Sequence, residues 1–472
     1  MSTVFMPRVI AAAGALLLSA CQNFSPDGGM SVPAAIVAQE LNKDIMAVRT
    51  DADVAATRAT VEHLLKHTLT AESAVQIALL NNRGLQAAYN ELGIAEAAKM
   101  AANLPPSPTI SVSRIASAAG IEIERKIVAS ILALATLPAR ADLAADRFRQ
   151  AQLRAAEETV RIAAETRRAY YRAVASQQAV GVLTQAKSAA ETAAQLAKRL
   201  GETGALNKLD QARQQAFYAE VTAQLAVARR RATGERERLI RPMGLWGGDL
   251  AFRLPGTLPA LPARPLTAPA VEQEALRRRI DVQIARIEVA ALAKSLGLTQ
   301  ATRFVNVLEL GAVAKTTRSG GEVDRQRGYE AELQVPLFDF GETRVRNAEQ
   351  TYLQALNRLA DKAINVRSQA REAYRGYRAN YDIARHYRRE VLPLRKIISD
   401  EMLLRYNAMQ IDVFALLTEA RQRIGATAAA IEAQRDFWLA STDLSAAIVG
   451  GGAAGEESST MTMPAAGGGG GH

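Results

Sequence analysis

Residues 329–344, YEAELQVPLFDFGETR, connect a short strand to a long helix. Every second residue from 331 to 335 is apolar, which is the alternation of a two-faced β-strand. The alternation stops at Pro336, and a helical pattern then runs from Glu342 to Pro393. At 1.5 Å per residue this helix is a rod of about 80 Å, whereas helices of globular proteins average about 11–12 residues. The stretch therefore predicts a strand that leads into an unusually long helix.

The same plan occurs twice along the chain. A shift of 204 positions aligns the rod that begins at Pro138 with the rod that begins at Glu342, and the shift becomes 208 near the far ends of the rods. The aligned identical pairs include Arg140 with Arg344, Gln150 with Gln354, Arg154 with Arg358, Arg167 with Arg371 and Tyr170 with Tyr374. The sequence therefore predicts two tandem repeats, each composed of helix, strand, strand, long helix and return helix.

The repeats and their flanks divide the chain into six segments. They are a lipoprotein signal peptide (1–20), an extended lipid-anchored leader (21–68) with a short helix over 50–67, a first repeat (69–243), a Pro/Gly-rich connector (244–268), a second repeat (269–449) and a disordered Gly-rich tail (450–472). The predicted strands cover about 107–117, 121–131, 303–317 and 329–339, and the helical hairpins cover 138–240 and 341–448.

The single cysteine, Cys21, follows an apolar run that is too short to span a bilayer. Leu18-Ser19-Ala20-Cys21 resembles a bacterial lipoprotein processing site, which implies cleavage before Cys21 and acylation of this residue. Gln22, rather than an aspartate, follows the cysteine, and by the familiar sorting rule this indicates the outer membrane. An ordinary signal peptide that happens to contain a cysteine is the alternative.

Composition excludes several classes of function. The chain of 472 residues has a net charge of +10, but its 58 basic and 48 acidic residues are interleaved along the helices, so we expect no nucleic-acid partner. We find no phosphate-binding glycine loop, nucleophile elbow or metal-ligand cluster, and therefore predict no catalytic residue, no metal and no cofactor apart from the lipid on Cys21. His63 and His67 have a spacing that can bind zinc, but without further ligands a solvent-facing pair is the better interpretation.

Four strands are too few to close a membrane barrel, for which about eight is the minimum. Open sheet edges are not tolerated in lipid. If the strands cross a membrane, several chains must therefore combine them, with Tyr329, Phe338 and Phe340 as candidate interfacial aromatics.

These features together resemble the TolC-type outer-membrane efflux protein family, in particular the lipidated outer-membrane factors of tripartite efflux systems. The resemblance covers nearly the whole mature chain. It rests on the order and spacing of four stretches, LTAESAVQIALLNNRGLQAAYNEL, EALRRRIDVQIARIEVAALAKS, VPLFDFGETR and YNAMQIDVFALLTEARQR.

The resemblance implies a mainly α fold with a small β part. Three copies would form a homotrimer with a 12-stranded transmembrane β-barrel, continued by a periplasmic α-helical barrel. The implied partners are a periplasmic adaptor protein and an inner-membrane pump of the resistance-nodulation-division type. The implied location is the outer membrane of a Gram-negative bacterium.

The ends of the helical hairpins are the candidate functional positions. The resemblance implies adaptor docking at the two tips, formed by Gly201, Gly204 and Leu206 and by Asn407, Met409 and Ile411. The family usually has glycine at the position of Met409. Four carboxylates near the tips are candidates for a constriction that selects ions, and solvated helix-end carboxylates are the simpler alternative: Asp210, Asp400, Glu401 and Asp412.

Three functions remain open from the sequence. The first is a passive exit duct of a tripartite efflux pump for small molecules or ions. The second is a lipid-anchored periplasmic coiled-coil scaffold, which explains the rods but not the strand pairs inserted at the same place in both halves. The third is the outer-membrane duct of a type I protein secretion system. The sequence leaves the cargo open among drugs, metal ions and polypeptides.

Overall fold

The computed structural model describes residues 24–118 and 120–450. The predicted signal peptide, Cys21 and residues 451–472 of the predicted tail lie outside the described residues. The described chain is mainly helical with one four-stranded sheet, so the predicted fold class is confirmed.

Each repeat has the predicted order of elements. Two leader helices come first, α1 (Ser31–Leu41) and α2 (Asp51–Lys66). The first repeat contains α3 (Ala71–Asn81), α4 (Arg83–Asn103), β1 (Thr109–Ser117), β2 (Gly120–Ser130), α5 (Ile131–Ala135), α6 (Leu137–Glu202) and α7 (Lys208–Met243). The second contains α8 (Val271–Arg278), α9 (Ile280–Ala301), β3 (Val307–Ser319), β4 (Glu322–Gln334), α10 (Glu342–His386), a π-helix (Tyr387–Val391), α11 (Leu392–Asn407) and α12 (Val413–Val449). A 3₁₀ turn, Gly247–Leu250, begins the connector.

The chain forms two compact units, and each takes segments from both repeats. Among the described residues, unit 1 consists of 24–54, 83–158 and 280–364 and contains the sheet. Unit 2 consists of 55–82, 159–279 and 365–450 and contains the connector and both hairpin tips.

The sheet of unit 1 is an antiparallel meander in the order β1-β2-β3-β4. Two hairpins, β1–β2 and β3–β4, come from the two repeats, and β2 pairs with β3 to join them. The register runs from Thr109↔Val128 to Ser117↔Gly120 in the first hairpin and from Val307↔Gln334 to Ser319↔Glu322 in the second. One sheet is therefore built from both halves of the sequence.

β1 and β2 coincide with the predicted strands to within two residues, but the other two strands differ. β3 covers 307–319 instead of 303–317, and β4 covers 322–334 instead of 329–339. The first seven residues of β4, EVDRQRG, have no apolar alternation, so the sequence pattern concealed the strand. After Gln334 the chain turns, because Asp339 accepts a hydrogen bond from Gly341 N (3.0 Å) and another from the Thr343 hydroxyl.

Helical structure continues past Pro393 to Asn407, within the predicted hairpin over 341–448. A proline inside a helix removes one N–H donor, and its ring clashes with the carbonyl four residues earlier. The π-helix Tyr387–Val391 widens the turn immediately before this proline, and α11 continues to Asn407.

The leader is only partly extended, because α1 occupies its centre. It is fixed to the rest of unit 1 by side chains. Ser25 donates to Glu96 through its backbone N–H (2.7 Å) and its hydroxyl (2.5 Å), and Gln86 bonds the backbone of Met46 and Val48 (3.0 and 2.9 Å). The predicted helix over 50–67 is confirmed as α2.

The opening helix of each repeat is broken, which the sequence did not reveal. In the first repeat the break follows Asn81, whose amide donates to the carbonyls of Met243 (3.0 Å) and Gly244 (2.8 Å) at the end of α7. Asn82 takes an extended conformation and donates to Pro242 O (2.8 Å). The equivalent break in the second repeat is the extended residue Arg279. Thr70 begins α3 with a capping box that it forms with Ser73.

Unit 2 has an aromatic core that holds the connector. Phe437, 1% exposed, contacts Tyr377, Tyr381 and Trp438 at ring-centroid distances of 5.4, 5.7 and 5.1 Å. The same side chains hydrogen-bond the connector backbone: Tyr381 donates to Pro262 O (3.0 Å), Trp438 donates to Pro259 O (3.0 Å), and the Tyr377 hydroxyl accepts from Leu266 N (3.0 Å). The proline-rich connector is therefore an ordered strap on the helices of this unit.

Two more buried tyrosines lie in unit 2. Burial raises the pKa of Tyr170 and of Tyr171 to about 12. The Tyr170 hydroxyl donates to Leu69 O (3.1 Å), and Tyr171 stacks on Trp438 at 5.2 Å. His63 and His67 are exposed, as expected, and contact each other edge-to-face at 5.5 Å.

None of the helices in residues 24–118 and 120–450 is both long enough and apolar enough to cross a membrane.

Candidate functional site

The four-stranded sheet has two chemically different faces. In the antiparallel register alternate residues of all four strands share a face. One face is called the arginine face below. Its paired strand residues are mostly apolar, five of them are arginines, and none is a carboxylate. Its members are Ile110, Val112, Arg114, Ala116, Ile121, Ile123, Arg125, Ile127, Ala129, Leu308, Leu310, Ala312, Ala314, Thr316, Arg318, Val323, Arg325, Arg327, Tyr329, Ala331 and Leu333.

The opposite face, called the acidic face below, carries seven carboxylates and two lysines, a net charge of −5. These residues are Glu122, Glu124, Glu309, Glu322, Asp324, Glu330, Glu332, Lys126 and Lys315. Each lysine is paired: Lys126 Nζ lies 2.6 Å from Glu330, and Lys315 Nζ lies 2.6 Å from Glu122.

Two carboxylates of the acidic face, Glu309 and Glu332, are direct cross-strand neighbours. Like charges in this position destabilise a sheet. The excess of negative charge is therefore not explained by the stability of the chain alone, and it points to a functional role for this face.

Both outer strands are exposed along their whole length, whereas β2 and β3 are largely half-buried. Among the described residues, β1 pairs only with β2 and β4 pairs only with β3, so each leaves one edge with free backbone donors and acceptors. Such an edge is a template for another strand. The sheet can therefore be extended at both sides by further copies of the chain.

A turn with left-handed residues connects β4 to α10. Phe340 and Gly341 have φ of +47° and +75°, and a Cβ at Gly341 would lie 2.3 Å from Arg303 O. Arg303 fixes the turn by donating to Phe340 O (2.8 Å) and to Glu342 (2.9 Å). Phe338 is fully exposed beside it.

The first hairpin tip is a tight turn between α6 and α7. Ala205 N and Leu206 N both donate to Leu200 O (2.9 and 3.1 Å), and Gly204 has a left-handed φ of +74°. Gly201 still belongs to α6. The structure thus brings the three predicted residues of this tip together in one turn of unit 2.

The second tip, between α11 and α12, has the same backbone course. Met409 occupies the left-handed position, with a φ of +58°, and its side chain is 93% exposed. Gln410 N donates to Arg405 O (2.9 Å) and closes the turn. A methionine therefore stands where a glycine would be free of strain, and it presents a large apolar side chain to solvent.

The structure places all four predicted constriction carboxylates near the tips. Asp210 lies in the first turn of α7, 3.0 Å from Arg213, and Asp412 caps α12 by accepting from Ala415 N (2.9 Å). Asp400 and Glu401 pair along α11 with Lys396 (2.7 Å) and Arg405 (3.0 Å). Three of the four thus have a cation on their own helix.

A groove of about 1090 Å³ in unit 2 lies along α6, α7 and α12. Small and apolar residues line its floor, and its rim carries five arginines and four carboxylates. Two ion pairs join α7 to α12 here, Arg421 with Glu220 (3.0 Å) and Arg231 with Glu432 (3.4 Å). Within the described chain, Glu235 Oε2 is buried without a hydrogen-bond partner at this groove.

The two faces of the sheet are not evident from the alternation of apolar residues, because Arg325 and Arg327 interrupt that alternation in β4. The period of two continues through 322–334 if arginine is counted with the apolar set, because Val323, Arg325, Arg327 and Tyr329 then alternate with acidic residues, a glutamine and a glycine.

No protein-family model matches the sequence, and no curated protein sequence matches it either. Solved structures do match. CusC, studied for the conformational changes that accompany folding and transmembrane channel formation, has a TM-score of 0.68 at 14% identity, over 80% of this chain and 91% of that chain. This chain has the fold of a known membrane channel.

Two further channels share this fold over almost their full length. The outer-membrane channel OprN has a TM-score of 0.67 at 18% identity, over 91% of this chain and 96% of that chain. The CmeC outer-membrane channel of Campylobacter jejuni has a TM-score of 0.63 at 15% identity, over 90% and 93%. The fold implied by the sequence resemblance is confirmed.

Proposed function

We propose that the protein is the outer-membrane exit duct of a tripartite efflux pump, which conducts small molecules or ions passively from the periplasm to the exterior. The observation that carries the proposal is the separation of the sheet into an arginine face and an acidic face. A sheet with one face that is apolar apart from five arginines, and another face rich in carboxylates, fits a barrel wall between lipid and water. The shared fold with OprN and CmeC, both outer-membrane channels, supports the same function.

Three copies supply the wall. One chain has four strands and two open sheet edges, and a single sheet with open edges is not stable in lipid. Pairing β4 of one copy with β1 of the next closes a ring, and three copies give 12 strands. The acidic face then lines the water-filled interior, and the apolar rows of the arginine face contact lipid.

The hairpin tips are the proposed docking sites for a periplasmic adaptor. The two turns are equivalent in backbone, and the side chain of Met409 is available to a partner. Asp210, Asp400, Glu401 and Asp412 are proposed to set the ion preference at this end of the duct. Energy for transport would come from an inner-membrane pump of the resistance-nodulation-division type, since a passive duct needs no catalytic residue.

A lipid on Cys21 is proposed to anchor the chain to the inner leaflet of the outer membrane of a Gram-negative bacterium. The anchor alone would also suit a periplasmic scaffold. A scaffold would not need a sheet face with exposed Ile110, Leu310, Tyr329 and Leu333 and no carboxylate.

The anchor and the sheet can be tested separately. A Cys21→Ala variant loses the lipid but keeps the sheet, so it should still require detergent for extraction and should form channels in planar lipid bilayers. In the same background Leu310→Glu places a charge on the arginine face and should abolish insertion, whereas Val313→Glu, on the acidic face, should not. A Cys21→Ala protein that is water-soluble and produces no conductance would refute the duct.

A further inference from the structure

The five arginines of the arginine face occupy one end of it. Residues opposite one another across the four strands form rows, and rows are about 7 Å apart along a strand. Arg125 and Arg327 share one row, Arg114 and Arg325 the next, and Arg318 lies in the row closest to the hairpin turns. These three rows are called the arginine rows below.

The rows at the other end of the same face are apolar. Moving away from the turns, the first contains Ile110, Ile127, Ala312 and Tyr329, the second contains Ala129, Leu310 and Ala331, and the third contains Leu308 and Leu333. The boundary between arginines and apolar side chains is therefore a line across all four strands.

Within residues 24–118 and 120–450, the five arginines of this face have no counter-charge. Among the described residues, none of the five forms an ion pair or a side-chain hydrogen bond, although both lysines of the acidic face are paired. The nearest carboxylates in sequence point to the other face. Five guanidinium groups on a surface without carboxylates are complementary to an external anion.

A shallow cavity lies at the boundary between the two sets of rows. It has a volume of about 390 Å³, and its lining includes Arg125, Arg327, Ile127 and Tyr329. Arg125 and Arg327 flank Ala314 in the same row, so their Cα atoms are about 10 Å apart. A small residue between two arginines leaves room for an anionic group that both can reach.

The position of the rows also fits lipid. Arginines on the lipid side of a barrel are unfavourable at the bilayer midplane and tolerated near the interface. The apolar rows therefore define the hydrocarbon level, and the arginine rows the headgroup level next to the hairpin turns. Guanidinium groups bind phosphate oxygens in bidentate geometry.

We propose that the arginine rows bind the phosphate groups of lipids in the outer leaflet, with Arg125 and Arg327 holding one phosphate at the apolar boundary. The occupant is a phosphorylated lipid, whose acyl chains continue over the apolar rows. This inference rests on the proposed function, because it requires the arginine face to contact lipid.

The test uses the full-length trimer in detergent and a fluorescent diphosphorylated lipid A as the probe. Lipid A should bind the wild type at least about tenfold more tightly than phosphatidylcholine does. Arg125→Gln with Arg327→Gln should weaken lipid A binding about 10- to 30-fold, since each basic residue near an anionic lipid surface contributes roughly a factor of five. Lys315→Gln removes a positive charge from the acidic face outside the lining of the cavity and should leave lipid A binding unchanged.

Two further arms make the result decisive. If inorganic phosphate at millimolar concentration displaces lipid A, the site takes free phosphate and the lipid assignment is wrong. If the glutamine variant does not assemble, Arg125→Lys with Arg327→Lys decides: binding several-fold weaker than wild type supports bidentate contacts, and unchanged binding overturns them.

The proposal and the proposed function fail in different ways. A trimer that conducts in bilayers but binds lipid A no better than phosphatidylcholine, or equally well in the glutamine variant, overturns the lipid site alone. A chain that does not insert into membranes overturns both.

Discussion

Removing the opposed carboxylates Glu309 and Glu332 should make the protein more stable and less cation-selective. The two residues face each other across β3 and β4 on the acidic face. Glu309→Gln with Glu332→Gln keeps the size and polarity of both side chains and removes six negative charges from the proposed trimer. We expect a gain in stability and a loss of cation selectivity, because the two negative charges repel each other in the folded sheet but attract cations into the duct.

The gain in stability can be worked from the register. Side chains directly opposite in an antiparallel pair have Cβ atoms about 5 Å apart, so the carboxylates lie about 6 Å from each other. In water their repulsion is about 0.7 kcal/mol, within the range of roughly 0.2–1 kcal/mol for cross-strand pairs. The double variant should therefore unfold about 1–3 °C above the wild type at low salt. The difference should shrink at 1 M salt, where the Debye length is about 3 Å.

Thermal unfolding in detergent measures the stability, and the reversal potential in a tenfold KCl gradient measures the selectivity. An ideally cation-selective pore gives about 59 mV in such a gradient. We expect a potential of cationic sign for the wild type and a value closer to zero for the double variant. Glu122→Gln is the matched control, because it also removes acidic-face charge but breaks the pair with Lys315, so it should not raise the unfolding temperature.

A double variant that unfolds at a lower temperature would show that Glu309 and Glu332 stabilise the sheet, contrary to the like-charge argument. An unchanged reversal potential would show that the acidic face does not line the conducting path.

Other predictions concern the helical parts and the turn at the end of β4. Tyr381→Phe removes the hydrogen bonds to the connector carbonyls, so it should lower the free energy of local opening of the connector by about 1 kcal/mol. Hydrogen exchange of the connector amides should then be faster, whereas the control Tyr406→Phe, at an exposed tyrosine, should leave it unchanged. Burial raises the pKa of Tyr170 to about 12 in the folded protein, whereas the ordinary value is about 10. The stability that Tyr170 contributes is therefore complete below pH 10 and is lost as the pH rises through about 12. Alkaline unfolding followed at 295 nm should therefore begin above pH 10, and Tyr170→Phe should reduce the slope of stability against pH; an identical slope would contradict this origin. Gly341→Ala forces a Cβ against Arg303 O and should prevent assembly or lower the unfolding temperature, while Gly297→Ala, in an exposed helical site, should be neutral or stabilising.

Much of the architecture was predictable because it repeats. The pairs Arg140/Arg344 and Tyr170/Tyr374 align the two rods, and the structure gives both halves the same order of elements. The tips were also predictable, since Gly201 and Gly204 interrupt a helical pattern and Asn207 provides a cap for the next helix.

The features that could not be predicted depend on tertiary contacts or lack the apolar alternation by which a strand is recognised. The break after Asn81 exists because its side chain hydrogen-bonds the carbonyls at the end of α7, which are 162 and 163 residues away in the sequence. The π-helix Tyr387–Val391, which lies just before Pro393, has no local sequence signal. The outer part of β4 was hidden because arginines replace apolar residues where the strand approaches the hairpin turn.

The most direct test of the central claim compares Thr316 and Thr317, adjacent residues of β3 that lie on opposite faces of the sheet. Each is changed to cysteine in a Cys21→Ser background, and single channels in lipid bilayers are exposed to a charged, water-soluble thiol reagent. If three chains form a barrel lined by the acidic face, the reagent should reduce the conductance of Thr317→Cys channels and leave Thr316→Cys channels unaffected. Equal effects on the two variants, or block of Thr316→Cys alone, would contradict the account.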